Sequence, residues 1–188
     1  MADDERSGGS SRPSASAPVL ADDLIRLRAL SPADAPAWLA GEDEPIRRWF
    51  QLDRPSTLAD VTGAIDAWAR AWAEGGPTQH FGIERVDDGT VVGGVEARDR
   101  GEGRAYLSFQ VFAPHRRRGY ATRAVRLACT HALAAMPVTQ LLIITDHDNA
   151  ASRGVAEAAG FVLDGPADPW EHVELGDKVR YILAPAKT

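Results

Sequence analysis

Hydrophobic and polar positions follow two different periods along this chain, which predicts a fold that mixes helices and strands. Residues 24 to 30 alternate as a strand does, and Ser31-Pro32 then indicates the start of a short helix that reaches about Ala40. A longer amphipathic helix follows the capping-box sequence Thr57-x-x-Asp60 and ends at Gly75. Its apolar positions recur three or four residues apart, at Leu58, Val61, Ile65, Trp68 and Trp72.

The next part of the chain is dominated by strand signals. Residues 79 to 86 and 90 to 97 form a hairpin pattern around Asp87-Asp88-Gly89, since Asp and Gly tolerate the positive φ that such turns need. Further strands are predicted, in chain order, at residues 104 to 112, from about Glu171, and at residues 178 to 183.

The most informative stretch runs from Val111 to Ala121, where an apolar strand leads through three arginines and Gly119 into an alanine-rich helix. A helix N terminus leaves several backbone N–H groups unpaired, and together with the helix dipole they form an anion site suited to phosphates. Gly119 has no Cβ and therefore lets a ligand approach the backbone closely. The side chains of residues 116 to 118 add charge-assisted contacts. The same pattern also fits a solvated basic turn that caps an ordinary helix.

A second strand-turn-helix unit follows. The run from Leu141 to Thr145 is apolar almost throughout, which is typical of a strand buried on both faces. Asn149-x-x-Ser152 then opens a helix, with Asn149 as a candidate N-cap, and Gly160 ends it before Phe161. The order is therefore strand, basic glycine turn, helix, strand, Asn-x-x-Ser, helix, Gly-Phe.

This order resembles the GNAT family of N-acetyltransferases. Arg116-x-x-Gly119-x-Ala121 is similar to the family's coenzyme A signature, Arg/Gln-x-x-Gly-x-Gly/Ala. Asn149-x-x-Ser152 with Gly160-Phe161 resembles the branch that contains the ribosomal-protein N-terminal alanine acetyltransferases. The resemblance covers about residues 22 to 184 and is most specific at 105 to 161. It implies an α/β (α+β) fold with a central mixed, mostly antiparallel sheet of six to seven strands, splayed between strands 4 and 5 and flanked by about four helices.

The resemblance also implies acetyl-CoA as the cosubstrate, and direct attack of an amine on its thioester without an acyl-enzyme. The strand that ends at Phe112 and the strand at 141 to 145 would splay apart to admit the pantetheine arm. Unpaired N–H groups near residues 111 to 113 would polarise the thioester carbonyl, and the amides at 116 to 121 would bind the diphosphate. The coenzyme-binding residues expected on this basis are Val111, Phe112, Ala113, Arg116, Arg117, Arg118, Gly119, Tyr120, Ala121, Thr122, Asn149 and Ser152.

Three positions depart from the family pattern. Arg117 stands where many relatives carry a second glycine, and Arg123 replaces a glutamate that often follows the glycine turn. Ala156 occupies the place of the tyrosine that protonates the leaving thiolate in many relatives. Ser152 resembles the serine of the ribosomal-protein branch and is the candidate substitute acid, although it also fits a plain first-turn helix residue. Because a thiol has a pKa of about 8.5, protonating the leaving thiolate gains only a modest rate.

Three glutamates are candidates for the general base. Glu171 lies ten residues past Phe161, and a similarly spaced glutamate serves as the base in the ribosomal-protein branch that the chain resembles. Glu96 is the second candidate and Glu84 the third, and each also fits a surface or salt-bridge carboxylate. Freeing the lone pair at pH 7 costs about 4.6 kcal/mol for a lysine but about 1 kcal/mol for an α-amine. A weak base, or a base acting through water, therefore favours α-amines.

Composition and net charge limit the domain organisation, the location and the partners that the chain is expected to have. A chain of 188 residues, 44% of them hydrophobic, suits a single domain, predicted at 19 to 188 after a polar, disordered tail at 1 to 18. No signal-peptide core or membrane-length apolar run occurs, which predicts a cytoplasmic protein without a membrane partner. The net charge of −6 disfavours a nucleic-acid partner and suits a cationic amine.

Cysteine and histidine add little chemistry. The single cysteine, Cys129, excludes an intrachain disulfide, and its place within a helix indicates a small buried residue rather than a nucleophile. His147 lies between Asp146 and Asp148, but strand alternation sends neighbouring side chains to opposite faces, so no metal is expected. His115 borders the basic turn, where solvent exposure is a simpler expectation than a hydrogen bond to the coenzyme.

The sequence therefore predicts an acetyl-CoA-dependent N-acetyltransferase whose acceptor is a primary amine. The favoured acceptor is the N-terminal α-amine of a peptide or protein. A small-molecule amine, such as an amino acid, polyamine or aminoglycoside, is an alternative acceptor, and a non-catalytic acyl-CoA-binding or regulatory protein is an alternative class. Because relatives are often dimers, a homodimer is consistent with the resemblance. Acceptor specificity is expected to depend on the loop at 164 to 172 and on the N-terminal helices, with Trp38, Trp49, Phe50, Trp68 and Trp72.

Overall fold

The computed structural model describes residues 16 to 168 and 177 to 183. Its strands are β1 (Leu20–Ala21), β2 (Ile25–Arg28), β3 (Thr78–Arg85), β4 (Val91–Asp99), β5 (Arg104–Val111), β6 (Gln140–Asp146), β7 (Val162–Pro166) and β8 (Lys178–Leu183). Its α-helices are α1 (Ala35–Gly41), α2 (Glu44–Trp49), α3 (Leu58–Glu74), α4 (Tyr120–Ala135) and α5 (Ala150–Ala159). Short 3-10 helices occur at Pro32–Asp34 and Ala113–His115.

The strands form one sheet in the order β1-β2-β3-β4-β5-β6-β8-β7. Neighbouring strands are antiparallel except β5 and β6, which run parallel because α4 connects them as a crossover helix. This crossover brings the carboxyl ends of β5 and β6 to the same side of the sheet. The N termini of α4 and α5 therefore begin close to one another at that side.

Helical layers cover the two faces of the sheet. The main core lies on the face that carries Val95 and Ala97, where α4 and α5 bury an alanine-rich surface. Gly94 and Glu96 alternate with these residues and so point to the opposite face. A Cβ added to Gly94 would come within 2.6 Å of the Trp38 ring, which places α1 on that second face. A smaller core lies there, formed by Leu30, Ala35, Ile46, Val61, Ile65, Val91 and Phe112.

A gap opens between β5 and β6. Their pairing covers three residue pairs, from Arg104 opposite Gln140 to Tyr106 opposite Leu142. Beyond Tyr106, β5 continues to Val111 and β6 continues to Asp146 without further pairing between them. The two strands thus splay apart toward the edge where α4 and α5 begin.

The predicted fold class is confirmed, including the splay between the strand that ends near Phe112 and the strand at 141 to 145. The described residues form eight strands rather than six to seven, because two-residue β1 pairs with β2 and is too short to show alternation. They also form five α-helices rather than about four, because the six-residue α2 is too short for a helical period. The strand predicted from about Glu171 and most of the predicted N-terminal tail lie outside the described residues.

Capping explains why the long helix α3 has the bounds that the sequence predicted. The Thr57 Oγ1 accepts the Asp60 N–H at 3.2 Å, and the Asp60 Oδ2 accepts the Thr57 N–H at 2.8 Å. These reciprocal bonds satisfy two donors at the helix start. Gly75 ends the helix with a φ of 63°, a left-handed conformation that glycine adopts without a steric penalty.

Candidate active site

The turn between β5 and α4 has the backbone of an anion-binding loop. After the 3-10 helix, Arg117 has a φ of 62° and Gly119 a φ of 80°, so left-handed residues alternate with extended or helical ones. Such alternation turns successive N–H groups toward one concave side and forms an anion-binding nest. This conformation costs Arg117, as a residue with a Cβ, about 1–2 kcal/mol.

The N–H groups of this turn are free to bind a ligand. From Arg117 to Thr122, no backbone N–H donates a hydrogen bond to another described residue, and Arg123 is the first to return to a helical partner, the Gly119 carbonyl. An added Cβ on Gly119 would have no protein atom within 4 Å, so open space lies over the turn. Unpaired donors, the α4 dipole and this open space together fit a diphosphate.

The three arginines of the turn do different things. Arg117 and Arg118 are exposed and form no ion pair within the part of the chain that the structure describes. Arg116 turns inward instead: its Nε donates to the Val111 carbonyl at 2.8 Å, and its other nitrogens contact the Asp43 carboxylate at 2.7 and 2.9 Å. The positive charge that faces the open turn therefore comes from Arg117 and Arg118.

The edge of β5 that borders the gap carries unpaired N–H groups. The Phe112 N–H donates to the Val92 carbonyl on β4 at 2.8 Å, so alternation points the Val111 N–H away from β4, toward the gap. Pairing with β6 has already ended at this level. The N–H groups of residues 111 to 113 were predicted to be free. For Phe112 this prediction is wrong, because its N–H points to β4 and is paired there.

The N terminus of α5 faces the other side of the gap. The Asn149 Oδ1 accepts the Ser152 N–H at 3.1 Å, which confirms the N-cap interpretation of this residue. Ser152 is half-buried, and this bond uses its backbone rather than its hydroxyl. Ala156, one turn further along, is fully buried in the core. Its small side chain lies against the sheet, so no proton donor stands at this position.

Glu96 is the candidate base that lies one strand away from the gap, on β4. Its side chain lies on the β4 face beneath the N-terminal helices, directly opposite Ser108 on β5 and His80 on β3. Burial raises the pKa of Glu96, and the Arg98 guanidinium at 3.0 Å offsets part of this effect. A carboxylate with a raised pKa is a better proton acceptor near neutral pH.

The other two glutamates do not join Glu96. Glu84 is buried between Arg26 and Arg28, which both donate to its carboxylate and hold β2 against β3. Its two oxygens are committed to these arginines, so the structure assigns Glu84 a structural role. Glu171 lies outside the described residues.

An aromatic cluster lies beside Glu96 on the same face. The Trp68 ring of α3 stacks on His80 at 3.6 Å between ring centroids, and Trp38 of α1 packs edge-on against both rings. Phe112 closes the cluster at 5.5 Å from Trp38. Sequence analysis missed His80, because a register shift between Ile83 and Glu84, which no spacing in the sequence shows, places it opposite Glu96.

The remaining predicted aromatic residues divide between core and surface. Trp72 is buried in the main core, where its Nε1 donates to the His80 carbonyl at 2.9 Å. Trp49 carries the Arg48 guanidinium over its ring at 4.4 Å, and Phe50 is exposed. Only Trp38 and Trp68 therefore lie next to the candidate base.

The singled-out histidines and the cysteine add no chemistry to this site. His115 is half-buried rather than exposed as predicted, because the 3-10 helix turns its ring inward, where Nδ1 is buried and has no partner among the described residues. Burial raises the pKa of Cys129 to about 12, which keeps its thiol protonated and unreactive. The described residues contain no group of three or more His, Cys, Asp or Glu side chains that could hold a metal ion.

A splayed sheet with an anion-binding backbone turn at one end fits an acyltransferase of the coenzyme A-dependent type. A family model described as the acetyltransferase (GNAT) domain matches residues 25 to 162. The chain therefore belongs to the GNAT family of acetyltransferases. This membership confirms the predicted N-acetyltransferase activity with acetyl-CoA as cosubstrate and an amine as acceptor.

Individual acetyltransferases are similar to this chain at low sequence identity. The uncharacterized N-acetyltransferase YoaA of Bacillus subtilis (strain 168) is 24% identical over 151 residues, which make up 79% of this chain and 85% of YoaA. The ribosomal L7/L12 α-N-protein acetyltransferase RimL in complex with coenzyme A is 18% identical at a TM-score of 0.75, covering 89% of this chain and 98% of that chain.

A relative with a different biological role has the same fold. The microcin C7 self-immunity acetyltransferase MccE, in complex with acetyl-CoA and AMP, is 17% identical at a TM-score of 0.74 and covers 87% of this chain and 93% of that chain. At these identities the structural matches establish the fold alone. None of the helices within the described ranges is long and apolar enough to cross a membrane.

Proposed function

We propose that this enzyme transfers the acetyl group of acetyl-CoA to the α-amine of a peptide or protein N terminus. The observation that carries the coenzyme half is the continuous row of unpaired N–H groups from Arg117 to Thr122. Such a row at the start of a sixteen-residue helix matches the two negative charges of a diphosphate. Exposed Arg117 and Arg118 add positive charge beside it.

The gap between β5 and β6 supports a route for the pantetheine arm. It begins where pairing ends at Tyr106 and leads to the edge where the turn lies. Acetyl-CoA supplies an activated acyl group, and the Val111 N–H faces the place where its carbonyl oxygen would lie. A fixed donor aimed at the oxygen that becomes negative stabilises the transition state.

Two side chains move the protons in this proposal. Glu96, as a carboxylate, accepts the proton that the acceptor ammonium loses before its nitrogen forms the new bond to the acyl carbon. A water molecule carries this proton across the open face at Ser108, since β5 separates Glu96 from the gap. The Ser152 hydroxyl donates a proton to the departing sulfur and regains one from the acylated nitrogen, which loses its second proton as the amide forms. The carbon–sulfur bond therefore breaks with its charge neutralised, and no alkoxide is left behind.

The acceptor class follows from what Glu96 can do. A carboxylate remains a weak base even with a raised pKa, and it can free an α-amine at a cost of about 1 kcal/mol but a lysine only at about 4.6 kcal/mol.

A panel of acceptors tests the proposal. Thiol release from acetyl-CoA is measured with short peptides that have a free N terminus, with the same peptides blocked at the N terminus but containing lysine, with a polyamine and with an aminoglycoside. The free N-terminal peptides are expected to give a kcat/KM at least tenfold above every other class. Faster turnover of the polyamine or aminoglycoside would replace the proposed acceptor, and coenzyme binding without turnover would indicate a non-catalytic protein.

A further inference from the structure

Arg116 is the first residue of the coenzyme signature, but its side chain does not point to the open side of the turn. Its three guanidinium nitrogens are all in use: Nε donates to the Val111 carbonyl at 2.8 Å, and Nη1 and Nη2 contact the two oxygens of Asp43 at 2.7 and 2.9 Å. This bidentate fork is among the strongest and most directional polar contacts that a side chain can form.

The contact with Val111 supplies a hydrogen-bond donor that a neighbouring strand would otherwise provide. In a sheet, the carbonyl and the N–H of one residue point to the same neighbouring strand. At Val111 that neighbour would be β6, but β6 has already diverged. The Arg116 Nε takes the place of the absent strand as donor to the Val111 carbonyl. It thereby holds the backbone of this residue extended, with the Val111 N–H aimed into the gap.

The contact with Asp43 ties the same edge to α2. Asp43 is the N-cap of α2, and its Oδ1 also accepts the Ile46 N–H at 3.0 Å. Burial alone would raise the pKa of Asp43, but its bonds to Arg116 and Ile46 outweigh burial and hold the pKa below its usual range. Arg116 thus joins the gap-facing edge of β5 to the start of α2, which packs in the smaller core on the second face of the sheet.

We propose that Arg116 is a positioning residue that aims the Val111 N–H at the thioester oxygen and fixes α2, and that it does not hold the coenzyme phosphates. This inference rests on the proposed function, because it needs the thioester to lie beside Val111. Arg117 and Arg118, whose guanidinium groups are exposed, supply the charge toward the phosphates. Loss of the Arg116 side chain therefore lowers the rate of transfer rather than the affinity for coenzyme.

The substitution Asp43→Asn distinguishes a positioning role of Arg116 from a phosphate-binding role. The first role predicts a lower kcat, and the second predicts a lower dissociation constant for CoA. If Arg116 is a positioning residue, Asp43→Asn and Arg116→Gln both lower kcat by tenfold to a hundredfold, a loss typical of a slightly misplaced catalytic group. The dissociation constant for CoA then changes by less than about threefold in either variant. If Arg116 binds phosphate, Arg116→Gln raises that constant tenfold or more, and Asp43→Asn lowers it by releasing the arginine to the ligand.

The experiment combines calorimetric titration with CoA and steady-state kinetics for the wild type, Arg116→Gln, Arg116→Lys, Asp43→Asn and the double variant. Lysine keeps the charge but cannot reach both partners, so Arg116→Lys is expected to match Arg116→Gln in kcat. The double variant is expected to lose no more rate than the worse single variant, since both act through one contact. Arg117→Gln is the matched control with the same charge change, and it is expected to weaken CoA binding.

Binding and turnover distinguish the failure of this inference from the failure of the proposed function. Weaker CoA binding by Arg116→Gln together with tighter binding by Asp43→Asn would overturn the positioning role, whatever the acceptor. Wild-type protein that binds CoA but acetylates no α-amine would overturn the proposed acceptor, while the kinetic comparison would continue with the acceptor that is used. Thermal unfolding of each variant shows whether a lost rate reflects a lost fold.

Discussion

The proposed coenzyme side of this site is built from one continuous stretch of main chain, whereas the proposed acceptor side is built from side chains of separate elements. Residues 111 to 122 contribute N–H groups, two left-handed residues and a helix N terminus. The acceptor side brings together Trp38, Trp68, His80 and Glu96 from α1, α3, β3 and β4. Main-chain sites accept many side chains as long as the backbone is kept, while side-chain sites change with every substitution. The coenzyme can therefore stay the same while the acceptor changes.

The substitution with the largest expected effect removes the coenzyme side alone. Gly119→Val places a branched side chain in the open space over the turn, at a φ of 80° that valine tolerates poorly. The dissociation constant for CoA, measured by calorimetry, is expected to rise at least a hundredfold. Because no protein atom lies within 4 Å of an added Cβ, the block acts on the ligand rather than on the protein's own packing.

Gly75→Val is the matched control for the backbone strain that valine causes at a positive φ. Gly75 ends α3 with a φ of 63° and has equally open surroundings, but it lies in a turn outside the proposed coenzyme site. The control is expected to lose about 1–2 kcal/mol of stability and to bind CoA as the wild type does. Normal CoA binding by Gly119→Val would remove the diphosphate from this turn.

The second prediction removes the acceptor side alone. Glu96→Gln is expected to lower kcat about thirtyfold and to change the dissociation constant for CoA less than twofold, because the general base acts only in transfer. The kcat/KM of the wild type should fall toward low pH with a midpoint above the usual glutamate pKa, since burial raises the pKa of Glu96. The variant should lack this limb. Glu102→Gln, at an exposed position of the β4–β5 turn, is the control.

The same raised pKa has a consequence for stability. A carboxyl group whose pKa is higher in the folded state than in the unfolded state holds its proton more tightly when folded. Its contribution to stability is therefore present at low pH and is lost as the pH rises through the folded pKa. Glu96→Gln should remove this loss and leave the protein as stable as the wild type, or more stable, at pH 7. A large destabilisation there would show that Glu96 holds the fold.

The third prediction concerns His80, the buried histidine of the aromatic cluster. Burial lowers the pKa of His80 to about 3, so the folded protein keeps this ring neutral while the unfolded chain protonates it below about 6.5. Stability should therefore fall as the pH drops from about 6.5 toward 3, with a slope of up to about 1.4 kcal/mol per pH unit from this group. His80→Phe keeps a ring on Trp68 and should flatten the slope.

Urea unfolding at a series of pH values measures this effect. His147→Gln, at an exposed position, is the control and should follow the wild-type pH dependence. An unchanged slope in His80→Phe would mean that His80 is protonated within the fold, and the stacked arrangement with Trp68 would then have to open in acid.

The smallest expected effect is that of Ser152→Ala. The cap of α5 remains, because Asn149 accepts the backbone N–H of residue 152 rather than its hydroxyl. A thiolate leaves readily, so losing its proton donor should lower kcat only about threefold to fivefold, with little change in CoA affinity. Stopped-flow measurement of thiol release provides the comparison. A hundredfold loss would make Ser152 an essential acid, and no loss would assign protonation to water.

The backbone of the basic turn could be predicted from sequence because its signals are local. Gly119 after three arginines, and Gly160 after a helix, each fix a backbone conformation within a few residues. The free amides followed from the position of the helix start alone. Phe112 was the exception, because the direction of one N–H depends on where pairing with β4 ends.

The side-chain contacts around the site could not be predicted to the same depth because they join residues far apart in the sequence. The partner of Arg116 is Asp43, which lies 73 positions earlier on an element too short to show a period. Glu84 was a candidate base until β2 supplied two arginines from more than fifty positions away. A pattern of spacing shows neither contact, since each is set by how strands align in the finished sheet.

The most direct test of the account follows backbone N–H resonances by NMR while CoA is added. The account predicts that the amides from Arg117 to Thr122 shift most, that the Val111 amide shifts when acetyl-CoA replaces CoA, and that the hairpin turn at 87 to 89 changes little. Saturable CoA binding that moves other amides and leaves those of residues 117 to 122 unchanged would contradict it.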